Sequence, residues 1–176
     1  LATQVIALKK PKRMRIQLVG RIGPYARRKD IALKILSVIG SSGGRGYTIE
    51  YAGMAARALP VEGRLTLCNL TIEMGARTGL IAPDDTTFSW LHGRPRVPKG
   101  PMWDRALSEW QTLASDSDAE FDAELSIDCS GLEPQITWGT DPGQVVAITG
   151  RVPSQESADP ERRPLLEKAL RYMGLT

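Results

Sequence analysis

The sequence predicts an α/β fold. Two stretches, residues 13–19 and 121–127, alternate apolar and polar side chains, the pattern of strands with one buried face. Between them lie segments whose apolar residues recur every three or four positions, the pattern of helices packed along one side. Strands and helices intermix along the chain, which argues for layered α/β packing and against a sandwich or a bundle.

The elements follow in order. Residues 13–19 form the first strand, closed by Gly20, and Gly23-Pro24 marks a turn. Asp30 is placed to cap a helix over 31–39 with Ile31, Ile35, Val38 and Ile39 as its apolar stripe and Gly40 as its stop. Residues 41–46 are a loop, 47–51 a short strand running to Gly53, and 54–59 a helical turn stopped by Pro60. A helix over 62–77 carries Leu65, Cys68, Ile72 and Ala76 on one side and Thr66, Asn69 and Glu73 on the adjacent one. Residues 79–81 form a short apolar segment before Pro83, and Asp84 or Asp85 caps a helix towards Leu91. Three prolines and two glycines make 92–101 an irregular connection. An amphipathic helix over 104–113 follows, with Trp103, Leu107 and Trp110. Residues 115–118 and 141–143 are turns, and 153–160 reads as an exposed linker, weakly capped at Asp159, before a last helix ending at Met173-Gly174.

A chain of 176 residues, 24% charged and 41% hydrophobic, suits one soluble domain or one domain with part of a neighbour. No apolar run approaches the roughly 20 residues that span a bilayer, and the opening Leu-Ala-Thr-Gln has no feature of an export signal. Two cysteines are too few for a disulfide scaffold, and one histidine is too few for most histidine metal sites. The net charge of +3 conceals an asymmetry. Ten of the 23 Lys and Arg lie up to Lys34 beside a single acid, Asp30, whereas the other 13 face 19 acids. A basic block can attract nucleic acid or an anionic surface. Here the bases of 14–19 alternate with apolar residues and only Tyr25 offers a stacking ring, so a solvated strand face is the reading and nucleic acid is argued against.

Few residues carry a chemical signal by themselves. Gly43-Gly44-Arg45-Gly46 follows a helix and enters a strand, the reverse of the order that lets backbone N–H groups cradle a phosphate, and is read as a turn. Cys68 and Cys129 lack partners at ligand spacing and are read as packed thiols. His92, in a Gly/Pro-rich loop, is read as a solvated imidazole. Asn69 and Glu73, four apart, project side by side from one helix. Spacing leaves two readings: an amide and a carboxylate paired at a polar site, or a Glu73–Arg77 ion pair worth about 0.3–0.5 kcal/mol on a wet face. Spacing by itself favours the ion pair.

Longer words change that balance. Glu50-Tyr51-Ala52-Gly53, the sixteen-residue word from Glu62 to Arg77 (Glu-Gly-Arg-Leu-Thr-Leu-Cys-Asn-Leu-Thr-Ile-Glu-Met-Gly-Ala-Arg) and the word from Ile81 to Phe88 closely resemble the large, catalytic subunits of the 3-isopropylmalate dehydratase family, in the aconitase superfamily. The likeness extends through Leu1-Ala2-Thr3-Gln4, Lys29-Asp30-Ile31, Gly93-Arg94-Pro95, Pro98-Lys99-Gly100, residues 137–144 and residues 172–175. Arg45, Tyr47, Leu65 and Asp141 depart from the usual Thr, His, Met and Asn, and Arg45 adds a charge to a loop that is otherwise neutral.

The resemblance implies a three-layer α/β/α aconitase-type subdomain with a mixed sheet. It implies that 1–130 is the second such subdomain of the large subunit and that 131–176 is a connection and helix leading into the third. It also implies a [4Fe-4S] cluster in the intact protein, held by three cysteines expected beyond Thr176. Neither Cys68 nor Cys129 matches them, so this chain is expected to supply no metal ligand and to hold no cluster alone. The N-terminal acidic and histidine residues of the family are likewise expected outside the chain, which reads as an internal fragment, inactive by itself. Asn69 and Glu73 match the superfamily's Cys-Asn-x-x-x-Glu word. The Asn is implied to sit beside the cluster, where an amide hydrogen-bonds to its sulfurs. The Glu is implied to lie near the substrate hydroxyl, where a carboxylate accepts or steers a proton. With the resemblance, the functional reading of this pair is preferred.

The implied reaction interconverts 2- and 3-isopropylmalate through 2-isopropylmaleate in leucine biosynthesis. It implies a cytoplasmic enzyme completed by a small subunit and by the remaining subdomains of the large one, with no membrane. Homoaconitase or a citramalate-type dehydratase of the same superfamily is the alternative chemistry, and a non-catalytic structural or interaction module the alternative class. A fragment is also expected to bare apolar surface near the Leu65–Ile72 helix or the C-terminal helix, and to self-associate.

Overall fold

Alternation in β1 (Lys12–Val19) buries Met14, Ile16 and Leu18 and turns Arg13, Arg15 and Gln17 to the opposite face. The computed structural model describes residues 4–156, 158–161 and 163–175; the Leu1-Ala2-Thr3 part of the first matching word, and Ser157 of the predicted linker, lie outside the described residues. Helix α1 (Arg28–Ile39) leads to β2 (Tyr47–Ala52), and α2 (Met54–Arg57) with α3 (Val61–Leu70) leads to β3 (Thr78–Leu80). Helices α4 (Asp85–Leu91) and α5 (Pro101–Gln111) lead to β4 (Ala123–Asp128). The four strands pair in the order β3-β2-β1-β4. All three pairings are parallel, which is why each connection is a long crossover and not a hairpin.

Register builds the core. Met14 lies between Ile49 and Ala123, and Ile16 between Tyr51 and Leu125, so one sheet face is an unbroken apolar layer. Ile31, Ala32, Ile35 and Leu36 of α1 and Leu67 of α3 close over it. On the other face Arg15 stands between Glu50 and Glu124. It bonds Glu124 at 2.9 Å and lies over the Phe121 ring at 4.3 Å. The connection into β4 touches this face, where the Ser115 hydroxyl donates to Glu50 (2.5 Å). Arg15, the half-buried base of this face, is therefore paired within the fold.

The four-stranded sheet is thus wholly parallel and not the mixed sheet expected; antiparallel pairing occurs in a separate hairpin, β5 (Gln135–Thr137) with β6 (Val145–Ala147), which rests on α1. Its strands are too short to show a period in sequence. Helix α6 (Arg163–Met173) packs Leu166, Ala169 and Leu170 against Trp138 in a second small cluster. The turn between β5 and β6 accounts for Asp141: it accepts from the Ser41 hydroxyl (2.8 Å) and from the Gly143 N–H (2.7 Å). Nothing in the structure explains Arg45, which is exposed.

Two helix starts and one buried stripe differ from the sequence reading. Helix α1 begins at Arg28, so Asp30 is not its N-cap. Its carboxylate instead accepts from the Arg27 N–H (2.5 Å) and from the Gln135 N–H (2.8 Å), tying the helix start to the hairpin. Val38, assigned to the buried stripe, is half exposed, and Ala32, Leu33 and Leu36 widen the buried face in its place. Helix α5 starts earlier than expected because Pro101 is tolerated in a first turn. Asp84 does cap α4, accepting from the N–H groups of Thr86 (3.1 Å) and Thr87 (3.3 Å).

Candidate functional site

The helix expected over 62–77 is shorter. The α-helix ends at Leu70, Thr71–Met74 winds as a 3₁₀ turn, and Gly75 reverses the chain at φ +76°. The cause lies beneath it. The buried Tyr51 hydroxyl bonds Thr71 Oγ1 (2.7 Å), which donates onward to the Leu67 carbonyl (3.0 Å). The same hydroxyl lies 3.5 Å from Met74 Sδ. Burial pushes the Tyr51 phenol well above its ordinary range, against the pull of the Thr71 hydrogen bond, so it remains a neutral donor. The Gly44 N–H donates to the Met74 carbonyl (2.8 Å), so the 43–46 segment is the turn expected and braces the 3₁₀ turn.

This pinning turns Leu65 and Ile72 of the expected apolar side outward, while Cys68 stays partly buried, Ala76 is buried, and Asn69 and Glu73 of the adjacent side are exposed. Leu65 is 52% and Ile72 70% exposed, while Val61, Arg64, Leu67, Thr71 and Met74 are buried. Arg64 is the charged member of that buried set. Its guanidinium holds both Asp84 oxygens (2.6 and 2.8 Å), the Leu59 and Arg57 carbonyls (2.9 and 2.8 Å) and the Thr87 hydroxyl (3.0 Å). Desolvation raises the Asp84 carboxyl, but the hydrogen bonds from Arg64 and from the Thr87 N–H outweigh it and hold the group below the usual carboxylate range. Beside this joint the Trp90 indole donates to Glu62 (3.0 Å), and Arg94 stacks on the Trp90 ring at 3.3 Å. Neither Arg64 nor Tyr51 was singled out in sequence, because their roles depend on partners in other elements.

Asn69 leaves the last turn of α3 and Glu73 leaves the 3₁₀ turn; both are exposed and no hydrogen bond joins them. With Thr71 and Met74 held inward, Glu73 is turned out to the edge of a groove of about 370 Å³ between α1, the 3₁₀ turn and the β5–β6 hairpin. Lys29, Gln135 and Thr137 share that groove, and Asn69 does not line it. The Glu73–Arg77 ion pair does not form among the described residues, since Gly75 ends the turn between them. A larger hollow of about 790 Å³ lies between the end of α1, the 141–144 turn and α6. The Asp141 N–H there donates to the Gln144 side chain (2.9 Å).

The remaining candidates sort simply. Cys129 is fully buried at the end of β4, and burial, with the Asp128 charge, pushes its thiol up. Cys68 is only partly buried, and burial pushes its thiol up as well. His92 is exposed but meets the Trp103 ring edge-on, 5.0 Å between centroids. Among the described residues no three His, Cys, Asp or Glu side chains converge to hold a metal ion. No helix of the described residues is long and apolar enough to cross a membrane. Apolar side chains are bared in both places expected: Leu65, Ile72 and Leu80 around α3, and Leu165, Tyr172 and Met173 on α6.

Comparison with known proteins gives a consistent result. The profile of the Aconitase family (aconitate hydratase) matches residues 1–176. The chain is 53% identical over 176 residues to "3-isopropylmalate dehydratase large subunit 1" of Bradyrhizobium diazoefficiens. It is 52% identical to "3-isopropylmalate dehydratase large subunit" of Anaeromyxobacter dehalogenans. Each comparison covers 99% of this chain and 37% of the relative, so the chain spans little more than a third of the length of the curated relatives it matches.

Proposed function

The chain belongs to the aconitase family, and we propose that it serves as one α/β subdomain in the large subunit of a 3-isopropylmalate dehydratase. The complete subunit, with a small subunit, interconverts 2- and 3-isopropylmalate through 2-isopropylmaleate in the cytoplasm, as a step of leucine biosynthesis. Residues 1–130 make the subdomain, and 131–176 make the connection and helix that lead to the next.

Enzymes of this family use a [4Fe-4S] cluster. The described residues do not fit it as ligands. A cluster needs several thiolates converging on one site, whereas Cys68 sits on α3 and Cys129 at the end of β4, with no third ligand gathered near either. Its cysteines belong elsewhere in the complete subunit.

What this chain contributes is proton handling and orientation. The Glu73 carboxylate accepts or steers the proton at the substrate hydroxyl that is eliminated and restored. The Asn69 amide, both donor and acceptor, orients a polar neighbour. The observation that supports the Glu73 role is its outward presentation at the edge of a groove, by a turn whose Thr71 and Met74 are pinned beneath Tyr51. In the complete large subunit assembled with its small subunit, Glu73→Gln is expected to lower kcat by about 10²–10⁴-fold with the thermal midpoint unchanged. Formation of 2-isopropylmaleate, followed by absorbance, measures it. Wild-type turnover in that variant refutes the assignment.

A further inference from the structure

We propose that Lys29 is the residue that binds a carboxylate of the substrate in the groove edged by Glu73, an inference that rests on the function proposed above. Lys29, in the first turn of α1, lines the groove, and Asp30 of the same helix, Gln135 and Thr137 of β5, and Glu73 of the 3₁₀ turn make the rest of its polar lining. Leu33 and Leu70 line the same hollow. Among the residues lining it, Lys29 is the sole Lys or Arg.

Two features mark this ammonium group as available. Among the described residues Lys29 makes no ion pair and no hydrogen bond. The acid beside it in sequence is occupied, because both Asp30 oxygens are taken by the backbone N–H groups of Arg27 and Gln135. A free cation and a free carboxylate thus share one hollow without pairing. That arrangement suits a hydroxy acid: its carboxylate meets the Lys29 ammonium while its hydroxyl meets Glu73. The neighbouring bases Arg27 and Arg28 do not line the groove.

The test is a KM-against-kcat split in the complete large subunit with its small subunit, using 2-isopropylmalate as the probe. Lys29→Met is expected to raise KM by about tenfold or more while kcat stays within roughly threefold, the mark of lost ground-state binding. Lys29→Arg, which keeps the charge, is expected to recover most of that affinity. Lys29 is exposed, so a shared fall in thermal midpoint is not expected. A KM within twofold of wild type in Lys29→Met, or an equal loss in Lys29→Arg, overturns the assignment. Glu73→Gln separates the two levels. If it abolishes turnover while Lys29→Met keeps the wild-type KM, only the Lys29 inference fails. If it leaves turnover unchanged, the functional reading fails and takes Lys29 with it.

Discussion

Gly79 has no room for a side chain. A Cβ there would fall on the Thr71 hydroxyl and stand 3.2 Å from the Cα of Cys68, backbone that cannot swing away. Both neighbours belong to the segment that presents Asn69 and Glu73. Gly79→Ala is therefore expected to cost about 1–3 kcal/mol, the usual range for overpacking, and to lower the thermal midpoint by several degrees in a circular-dichroism melt. An unchanged midpoint would show that the contact is slack. The same residues mark what could be read in advance. A cap at Asp84 or Asp85 was legible because the role is local, an acid followed by free N–H groups, and the structure assigns it to Asp84. The Cys-Asn-x-x-x-Glu word was legible as a word. The directions of its side chains were not, because they are set by the Tyr51 hydroxyl, which reaches Thr71 from a neighbouring strand. Gly75 was the one local hint that the helix would stop short of Arg77.

Between elements, the join of α3 to α4 rests on Arg64 and Asp84. Arg64 is 4% exposed and fully bonded, so removing its partner strands a buried guanidinium. Asp84→Asn is expected to cost about 1–2 kcal/mol at neutral pH, allowing for solvent screening of the half-exposed carboxylate. The pH dependence has a definite sign. The folded Asp84 carboxyl lies below its unfolded value, so the stabilisation is whole above the ordinary carboxyl range. It is lost as pH falls from about 4 through the depressed folded value. Urea unfolding should show the gap between wild type and Asp84→Asn at pH 7 closing in acid; a gap that persists at low pH would assign the cost to packing. Element existence was largely legible, since β1, β2, β4 and the helices between them carry strong periods. The hairpin was not, because three-residue strands have no period. The start of α1 was misplaced because Asp30 serves a partner in β5 that sequence spacing does not reveal.

At the scale of the whole molecule, the sheet and its helices bury one continuous core while leaving apolar ground uncovered. Leu65, Ile72 and Leu80 are each more than half exposed, around the end of α3 and the edge strand β3. Isolated exposed leucines are ordinary, but apolar residues grouped beside an unpaired strand edge offer both surface and free backbone groups to another chain. The relatives that match this chain are more than twice as long, so in them other segments of the subunit are available to cover such ground. The 176-residue chain, prepared alone, is therefore expected to self-associate weakly, with a sedimentation coefficient that rises with concentration. Placing like charges at Leu65→Glu and Ile72→Glu should return it to a concentration-independent monomer without loss of helix content, because neither side chain contributes to the buried core. Association that survives both substitutions would move the adhesive surface to α6, where Leu165 and Tyr172 are also bare. Absence of association in the unaltered chain would mean that the exposed apolar area is too small or too divided to bind a second copy, and the uncovered-face argument would fail with it.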